Sequence, residues 1–155
     1  GVQTCALPIL ALFTNTELTF VAPEKIQMPK DITETLKTKG CKITITDNLE
    51  KSLQNADVLY VTRIQKERFE NLSDYKAIEG IYQLNKQKIQ THCKPEVRIL
   101  HPLPRTCEIH TDVDDLPNAA YFRQAENGLY VRMALFLLLL GKGDVYHNQT
   151  ILDAI

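Results

Sequence analysis

Short apolar segments alternate with helix-like segments along this 155-residue chain. Strands are predicted where β-branched and aromatic residues cluster between turn residues: ELTFVAP (17–23), KITITD (42–47), DVLYVTR (57–63) and VRIL (97–100). Helices are predicted where helix formers lie between a polar start and a polar or glycine stop: 31–40, 48–56, 84–93 and about 120–140. This alternation is typical of an α/β fold, in which a doubly wound, mostly parallel sheet carries helices on both faces.

The segment 64–82 interrupts the alternation with mixed charges, and it is predicted to hold a mobile loop and a short turn. In doubly wound sheets, ligands bind beyond the carboxyl ends of the strands. Two predicted strands end in distinctive residues, because 57–63 continues into IQKER and 97–100 continues into HPLPR. A binding site is therefore expected where these two strands end.

Composition argues against several classes of function. The 18 Lys and Arg are balanced by 19 Asp and Glu, so the net charge of −1 indicates neither nucleic-acid binding nor a membrane surface. The longest apolar run, MALFLLLL at 133–140, is far shorter than the roughly 20 residues of a membrane span. The cysteines at 5, 41, 93 and 107 lack the spacing of a metal site, and free thiols in a reducing, cytoplasmic compartment are expected. The acidic run DVDD at 112–115 fits no calcium loop, so we expect a solvated loop or a helix cap there and no metal.

The end of strand 57–63 carries side chains that suit an anionic ligand. The guanidinium of Arg63 can bind a carboxylate or a phosphate through two parallel N–H groups. Gln65 could add an amide donor, and Glu67 could hold Arg63 in one rotamer. From composition alone, a solvated cluster of ion pairs on a surface loop is the better supported interpretation, because charge runs are usually solvated.

The HPLPR segment leaves backbone acceptors without sheet partners. Proline has no backbone N–H and keeps the residue before it extended, so a central strand cannot continue through residues 101–105. The carbonyls of Leu103 and Pro104 then need another donor, and a ligand –NH2 group would suit them. The pattern alone somewhat favours a rigid turn with water on these carbonyls. His101 is a candidate general base, although a histidine in this position is more often a structural hydrogen-bonding residue.

Several long motifs together resemble aspartate carbamoyltransferase, specifically its aspartate-binding half: FVAPEKIQMP, VLYVTRIQKERF, ILHPLPR and EIHTDVDDLPNAAYFRQAENGLYVRMALF. They occur in the order that the family has, and the similarity covers nearly everything from Leu10 to about Gly141. The resemblance implies a Rossmann-like carbamoyltransferase domain. It also implies transfer of the carbamoyl group of carbamoyl phosphate to the amino group of L-aspartate in pyrimidine biosynthesis, without an organic cofactor or a catalytic metal.

The resemblance also assigns ligand contacts residue by residue. Arg63 is expected to bind an aspartate carboxylate, and Gln65 to support the same group from the same mobile loop. The backbone carbonyls of Leu103 and Pro104 are expected to accept from the carbamoyl –NH2, across a cis peptide bond between these two residues. No side chain is assigned a catalytic role, because the protein mainly positions two small anions and stabilises developing charge.

Three further residues are assigned a supporting role by the resemblance. Glu67 and Glu108 are expected to orient the arginine of the loop. Arg68 would pair with an acidic residue in some relatives, but the corresponding position here is Cys107, which leaves that interaction in doubt.

The resemblance further bears on domain organisation and partners. Residues 1–9, GVQTCALPI, look like the translation of a sequencing-library adapter, so the native chain is expected to begin near Leu10. The alternative is that these residues form a native strand. Residues 10–155 are expected to form a partial aspartate-binding domain without the carbamoyl-phosphate domain and without a central strand. Such a fragment would be inactive alone and poorly stable, because unpaired strand edges favour aggregation. Full-length members of the family form catalytic trimers, with or without regulatory chains.

Three other functions remain as alternatives. An ornithine carbamoyltransferase would have HCLP in place of HPLP and would not place Arg63 against a cationic substrate. A non-catalytic carbamoyltransferase-like module would lack the phosphate-binding arginines upstream. A nucleotide-binding domain would need a glycine-rich turn between a strand and a helix, which this sequence does not contain.

Overall fold

The computed structural model of the protein describes residues 7–64, 69, 71–78 and 80–141. In this part of the chain, strands and helices follow one another in the order β1 (Glu17–Val21), α1 (Lys30–Thr38), β2 (Lys42–Thr46), α2 (Leu49–Leu53), β3 (Val58–Tyr60), α3 (Leu72–Ile78), α4 (Lys86–His92), β4 (Arg98–Leu100) and α5 (Tyr121–Leu139). Two short 3-10 turns lie at Glu24–Ile26 and Thr111–Val113. A helical turn covers 7–10.

Most predicted elements are confirmed, with shorter bounds in several cases. Asn48 caps α2, since its side chain accepts a hydrogen bond from the Lys51 backbone N–H at 2.9 Å. The prediction for 64–82 was wrong in one respect, because this segment contains the helix α3. Its apolar residues Leu72, Tyr75 and Ile78 do recur at helical spacing, but the charged residues around them obscured that signal.

The described strands form two separate parallel pairs. β1 pairs with β2 from Glu17↔Lys42 to Val21↔Thr46, and β3 pairs with β4 from Val58↔Arg98 to Tyr60↔Leu100. The α/β architecture with parallel strands is therefore confirmed, but the described residues divide the predicted sheet into two halves. α2 lies between the halves, in contact with both β1 and α4.

Each strand pair has its own apolar cluster. The larger cluster surrounds β3 and β4, and its buried members are Leu53, Leu84, Ile89, Ile99, Ile109, Val113 and Tyr121. The smaller cluster lies by β1 and β2, where Leu7, Leu36 and Cys41 are buried. Leu7 belongs to the segment 1–9 that the sequence suggests is foreign, yet it packs in this core.

Much of the apolar surface of α5 is exposed. Its exposed large side chains are Phe122, Leu129, Tyr130, Val131, Met133, Leu135, Phe136, Leu138 and Leu139. Among the described residues, no helix has the length and apolar character needed to cross a membrane.

Asn118 holds β4 from the side opposite β3. Its carbonyl accepts from the Ile99 N–H at 2.9 Å. Its side-chain –NH2 donates to the carbonyls of Pro95 at 2.9 Å and Val97 at 3.0 Å. Val97 is fully buried, so among the described residues its carbonyl depends on the Asn118 amide for a donor.

We expect Asn118→Asp to destabilise the protein by about 2 kcal/mol, because it replaces a buried donor with an acceptor facing two carbonyl oxygens. Asn55→Asp is the matched control, since it makes the same change of charge at an exposed position. The free energy of unfolding of the full-length protein, measured in urea, checks this. Equal stability of the two variants would show that the Asn118 amide does not hold β4.

Candidate substrate-binding site

The candidate site lies at the edge of the sheet where β3 and β4 end. The two strands are parallel, and the Val61 N–H extends their ladder by donating to the Leu100 carbonyl at 2.9 Å. Residues that follow β3 and residues that follow β4 therefore leave the sheet at the same edge. This brings Arg63 and the HPLPR segment (101–105) to one side of the molecule, as the sequence predicts.

The first half of the site is the segment after β3. Arg63 is exposed there, two residues beyond the end of the hydrogen-bonded ladder. The other three predicted residues of this loop, Gln65, Glu67 and Arg68, lie outside the described residues.

The second half of the site is the turn after β4. The peptide bond between Leu103 and Pro104 is cis, as the resemblance implies, and Leu103 has a φ of +43°. Within the described part of the chain, no hydrogen bond reaches the carbonyl oxygen of Leu103 or Pro104. The turn therefore offers two backbone acceptors, the carbonyl oxygens of the half-buried Leu103 and of the exposed Pro104.

His101 is buried at the base of this turn. Its Nε2 lies 2.7 Å from Glu108 Oε1, and its Nδ1 accepts from the Leu103 N–H at 2.8 Å. Its backbone N–H donates to the side-chain oxygen of Gln124 at 2.9 Å, which ties the end of β4 to α5. The structural interpretation of His101 is thus favoured over a role as general base.

The carboxylate of Glu108 accepts hydrogen bonds from several donors. Its oxygens accept from His101, from the Thr106 N–H at 3.2 Å and from the Thr106 hydroxyl at 2.8 Å. Burial works against the charged form, but the hydrogen bonds outweigh it and leave the pKa of Glu108 below its ordinary value. The orientation of Arg63 by Glu108 stays a prediction.

Arg105 is fixed by a cluster that sequence reasoning missed. Its guanidinium binds both carboxylate oxygens of Asp114, one of them at 2.6 Å, and also donates to the Tyr121 hydroxyl at 3.2 Å. The Tyr121 hydroxyl in turn donates to Asp114, and the Arg105 guanidinium lies 5.7 Å from the ring centroid of Tyr121. This arrangement anchors the end of the HPLPR segment to the start of α5.

The cluster also corrects part of the prediction for the run 112–115. Asp112 accepts from the Lys86 N–H in the first turn of α4 at 3.1 Å, although the N-cap residue of that helix is Asn85. Asp114 is instead paired with Arg105 rather than solvated. Hydrogen bonds from Arg105 hold the pKa of Asp114 below its ordinary value. The pKa of Tyr121 is raised to about 12, mainly because the side chain is buried and also because it lies beside the Asp114 carboxylate.

Cysteines and acidic residues give no sign of a metal centre in the described residues. Cys41, Cys93 and Cys107 are free thiols. Among the residues that the structure describes, no three His, Cys, Asp or Glu side chains are grouped as a metal ion would require.

The chain is similar to known proteins over most of its length. The family model described as aspartate/ornithine carbamoyltransferase, Asp/Orn binding domain, matches residues 4–139. The aspartate carbamoyltransferase catalytic subunit of Alkaliphilus oremlandii is 46% identical over 140 residues, which make up 90% of this chain and 42% of that protein.

Solved structures agree with the sequence comparison. The catalytic subunit of M. jannaschii aspartate transcarbamoylase superposes with a TM-score of 0.82 at 41% identity, over 91% of this chain and 46% of that chain. Aspartate transcarbamoylase from Trypanosoma cruzi, in complex with carbamoyl aspartate and phosphate, has a TM-score of 0.75 at 38% identity, over 86% of this chain and 43% of that chain. The chain thus spans less than half the length of these relatives.

Proposed function

The chain belongs to the Asp/Orn-binding domain family of aspartate and ornithine carbamoyltransferases, and we propose that it is the aspartate-binding part of an aspartate carbamoyltransferase catalytic chain. The observation that carries this proposal is the meeting of two features at one sheet edge. Arg63 follows β3, and the two carbonyls of Leu103 and Pro104 follow β4. An anion-binding group and two hydrogen-bond acceptors suit a carboxylate and a carbamoyl –NH2.

In this proposal, L-aspartate binds at the β3 side of the edge. The guanidinium of Arg63 binds a carboxylate of aspartate bidentately, and Gln65 supports that carboxylate. Glu67 and Glu108 orient Arg63. A cationic ornithine side chain would be repelled by Arg63, so the proposal is specific to aspartate.

Carbamoyl phosphate binds at the β4 side of the edge. Its –NH2 group donates to the carbonyls of Leu103 and Pro104, which lack another partner among the described residues. The neutral amine of aspartate then attacks the carbamoyl carbon, phosphate leaves with the electron pair of the broken C–O bond, and the departing phosphate accepts the proton that the amine nitrogen loses. The residues of this chain act by holding the amine of aspartate against the carbamoyl carbon, which is sufficient for large accelerations without a nucleophilic side chain.

The greater length of the relatives indicates that the full-length protein has a further domain. The chain covers 42% of the Alkaliphilus oremlandii protein, so a carbamoyl-phosphate domain would accompany residues 10–155 in the full-length protein. The two separate strand pairs and the exposed apolar face of α5 support this, since a further strand and a second domain would cover them. The chain alone is then inactive. We also infer a cytoplasmic homotrimer, with or without regulatory chains.

The activity of the full-length protein tests the proposal. We expect phosphate release from carbamoyl phosphate to depend on L-aspartate and to be absent with L-ornithine. Turnover with L-ornithine would mean that the substrate is misassigned. If neither amino acid supports turnover in a folded protein, the chain is a non-catalytic module of this family.

A further inference from the structure

The ring of His101 uses both of its nitrogens inside the protein. The side chain is buried, with 1% of its surface exposed. Nδ1 accepts from the Leu103 backbone N–H at 2.8 Å, and Nε2 lies 2.7 Å from Glu108 Oε1. A backbone amide can only donate, so Nδ1 carries no proton. The ring is therefore the neutral tautomer that donates from Nε2 to Glu108.

Leu103 is the residue that this ring holds in place. Its φ of +43° lies in the left-handed region, which is unfavourable for a residue with a side chain. Such a backbone conformation persists only where the surrounding structure holds it. The hydrogen bond from the Leu103 N–H to His101 supplies that restraint directly at the unfavourable residue.

Glu108 connects the ring to the core. Its carboxylate also accepts from the N–H and the hydroxyl of Thr106. Its backbone carbonyl accepts from the Leu84 N–H at 2.9 Å, and Leu84 is 2% exposed within the larger apolar cluster. A continuous series of contacts therefore runs from the core through Glu108 and His101 to Leu103.

We propose that His101 is a positioning residue for the carbamoyl group, because it fixes the backbone at Leu103 and thereby places the carbonyl oxygens of Leu103 and Pro104. This inference rests on the proposed function, in which these carbonyls accept from the carbamoyl –NH2. No proton transfer to substrate is assigned to His101, since both ring nitrogens already have partners within the protein.

Two amide substitutions separate the two contacts of the ring. In His101→Asn, the side-chain oxygen replaces Nδ1 and accepts from Leu103, but the side chain is too short for Glu108. In His101→Gln, the side-chain –NH2 replaces Nε2 and donates to Glu108, but the acceptor for Leu103 is lost. Each variant of the full-length protein is titrated with carbamoyl phosphate and, separately, with inorganic phosphate, which has no –NH2 group.

We expect His101→Gln to bind carbamoyl phosphate about tenfold more weakly, while binding of inorganic phosphate stays within about twofold of wild type. His101→Asn should lie between His101→Gln and wild type. His92→Gln, which removes a histidine from the end of α4, is the matched control and should bind both ligands as wild type does.

Either of two results would overturn the role of His101. Equal losses for carbamoyl phosphate and inorganic phosphate would indicate a structural residue only, and unchanged binding in His101→Gln would indicate no role at the turn. A folded wild-type protein that does not bind carbamoyl phosphate would instead overturn the proposed function.

Nitrogen NMR of the wild-type protein, labelled at histidine, provides a test that needs no variant to fold. The ring of His101 should show the neutral tautomer with its proton on Nε2. A proton on Nδ1, alone or together with one on Nε2, would contradict the hydrogen bond from Leu103 and overturn the proposal.

Discussion

Replacing Arg63 with alanine in the full-length protein is expected to lower kcat/KM for L-aspartate by a factor of about 30 to several thousand, because a charged hydrogen-bonded contact is worth about 2–5 kcal/mol. The loss should fall on aspartate rather than on carbamoyl phosphate, whose –NH2 contacts we propose on the turn after β4. Arg63→Lys should recover only part of the loss, because an ammonium group keeps the charge without the planar fork of donors. Steady-state kinetics with each substrate varied in turn checks this.

Arg98→Ala is the matched control for Arg63→Ala. Arg98 begins β4, so it lies at the opposite end of the same strand pair, where its guanidinium donates to the Pro117 carbonyl at 2.8 Å. Its removal should leave kcat/KM for aspartate within about twofold of wild type, as for other surface substitutions. If Arg63→Ala behaves like Arg98→Ala, Arg63 does not bind aspartate.

Asp114→Ala is expected to destabilise the full-length protein by about 2–4 kcal/mol, because it leaves Arg105 without its carboxylate partner. The side chains of Arg105 and Asp114 are only 16% and 26% exposed, so water replaces the lost contacts incompletely. The neighbouring Asp115→Ala removes the same group from an exposed position and should be nearly neutral. Urea unfolding of both variants measures the difference, and a similar small loss in both would contradict the importance of the cluster.

The Asp114 cluster also predicts how stability depends on pH. The pKa of Asp114 is lowered in the folded protein, first by hydrogen bonds from Arg105. Its contribution to stability is therefore complete above the ordinary pKa of 3.8 and is lost as the pH falls through the lower folded value. Asp114→Asn should remove this part of the acid dependence, which unfolding experiments over a pH series can detect.

Local signals were sufficient for most of the secondary structure. β-Branched and apolar runs predicted all four described strands, and the Asn48 cap was correctly placed before α2. The proline pair after β4 correctly indicated an end of the strand, followed by carbonyls that have no hydrogen-bond donor among the described residues. Each of these signals depends only on residues that are close together in the chain, so it can be recognised from the sequence alone.

The contacts that build the site could not be derived from local signals. Arg105 meets Asp114 and Tyr121 only because the chain reverses between β4 and α5, and no periodicity marks such a pairing. The His101–Glu108 contact likewise depends on the bridge that Leu84 makes to the segment after the turn. Sequence reasoning therefore assigned Glu108 a role toward Arg63 and did not anticipate its bond to His101.

The sequence by itself determined the order of the strands and of every described helix except α3, the sheet edge at which we propose that ligands bind and, through its resemblance, the family. Tertiary structure alone decided which buried side chains fix the turn, and that Asp114 is paired rather than solvated. The physical reason is the range of the forces involved. Backbone propensities and proline geometry act on neighbouring residues, whereas burial and ion pairing depend on which distant segments the folded chain brings together.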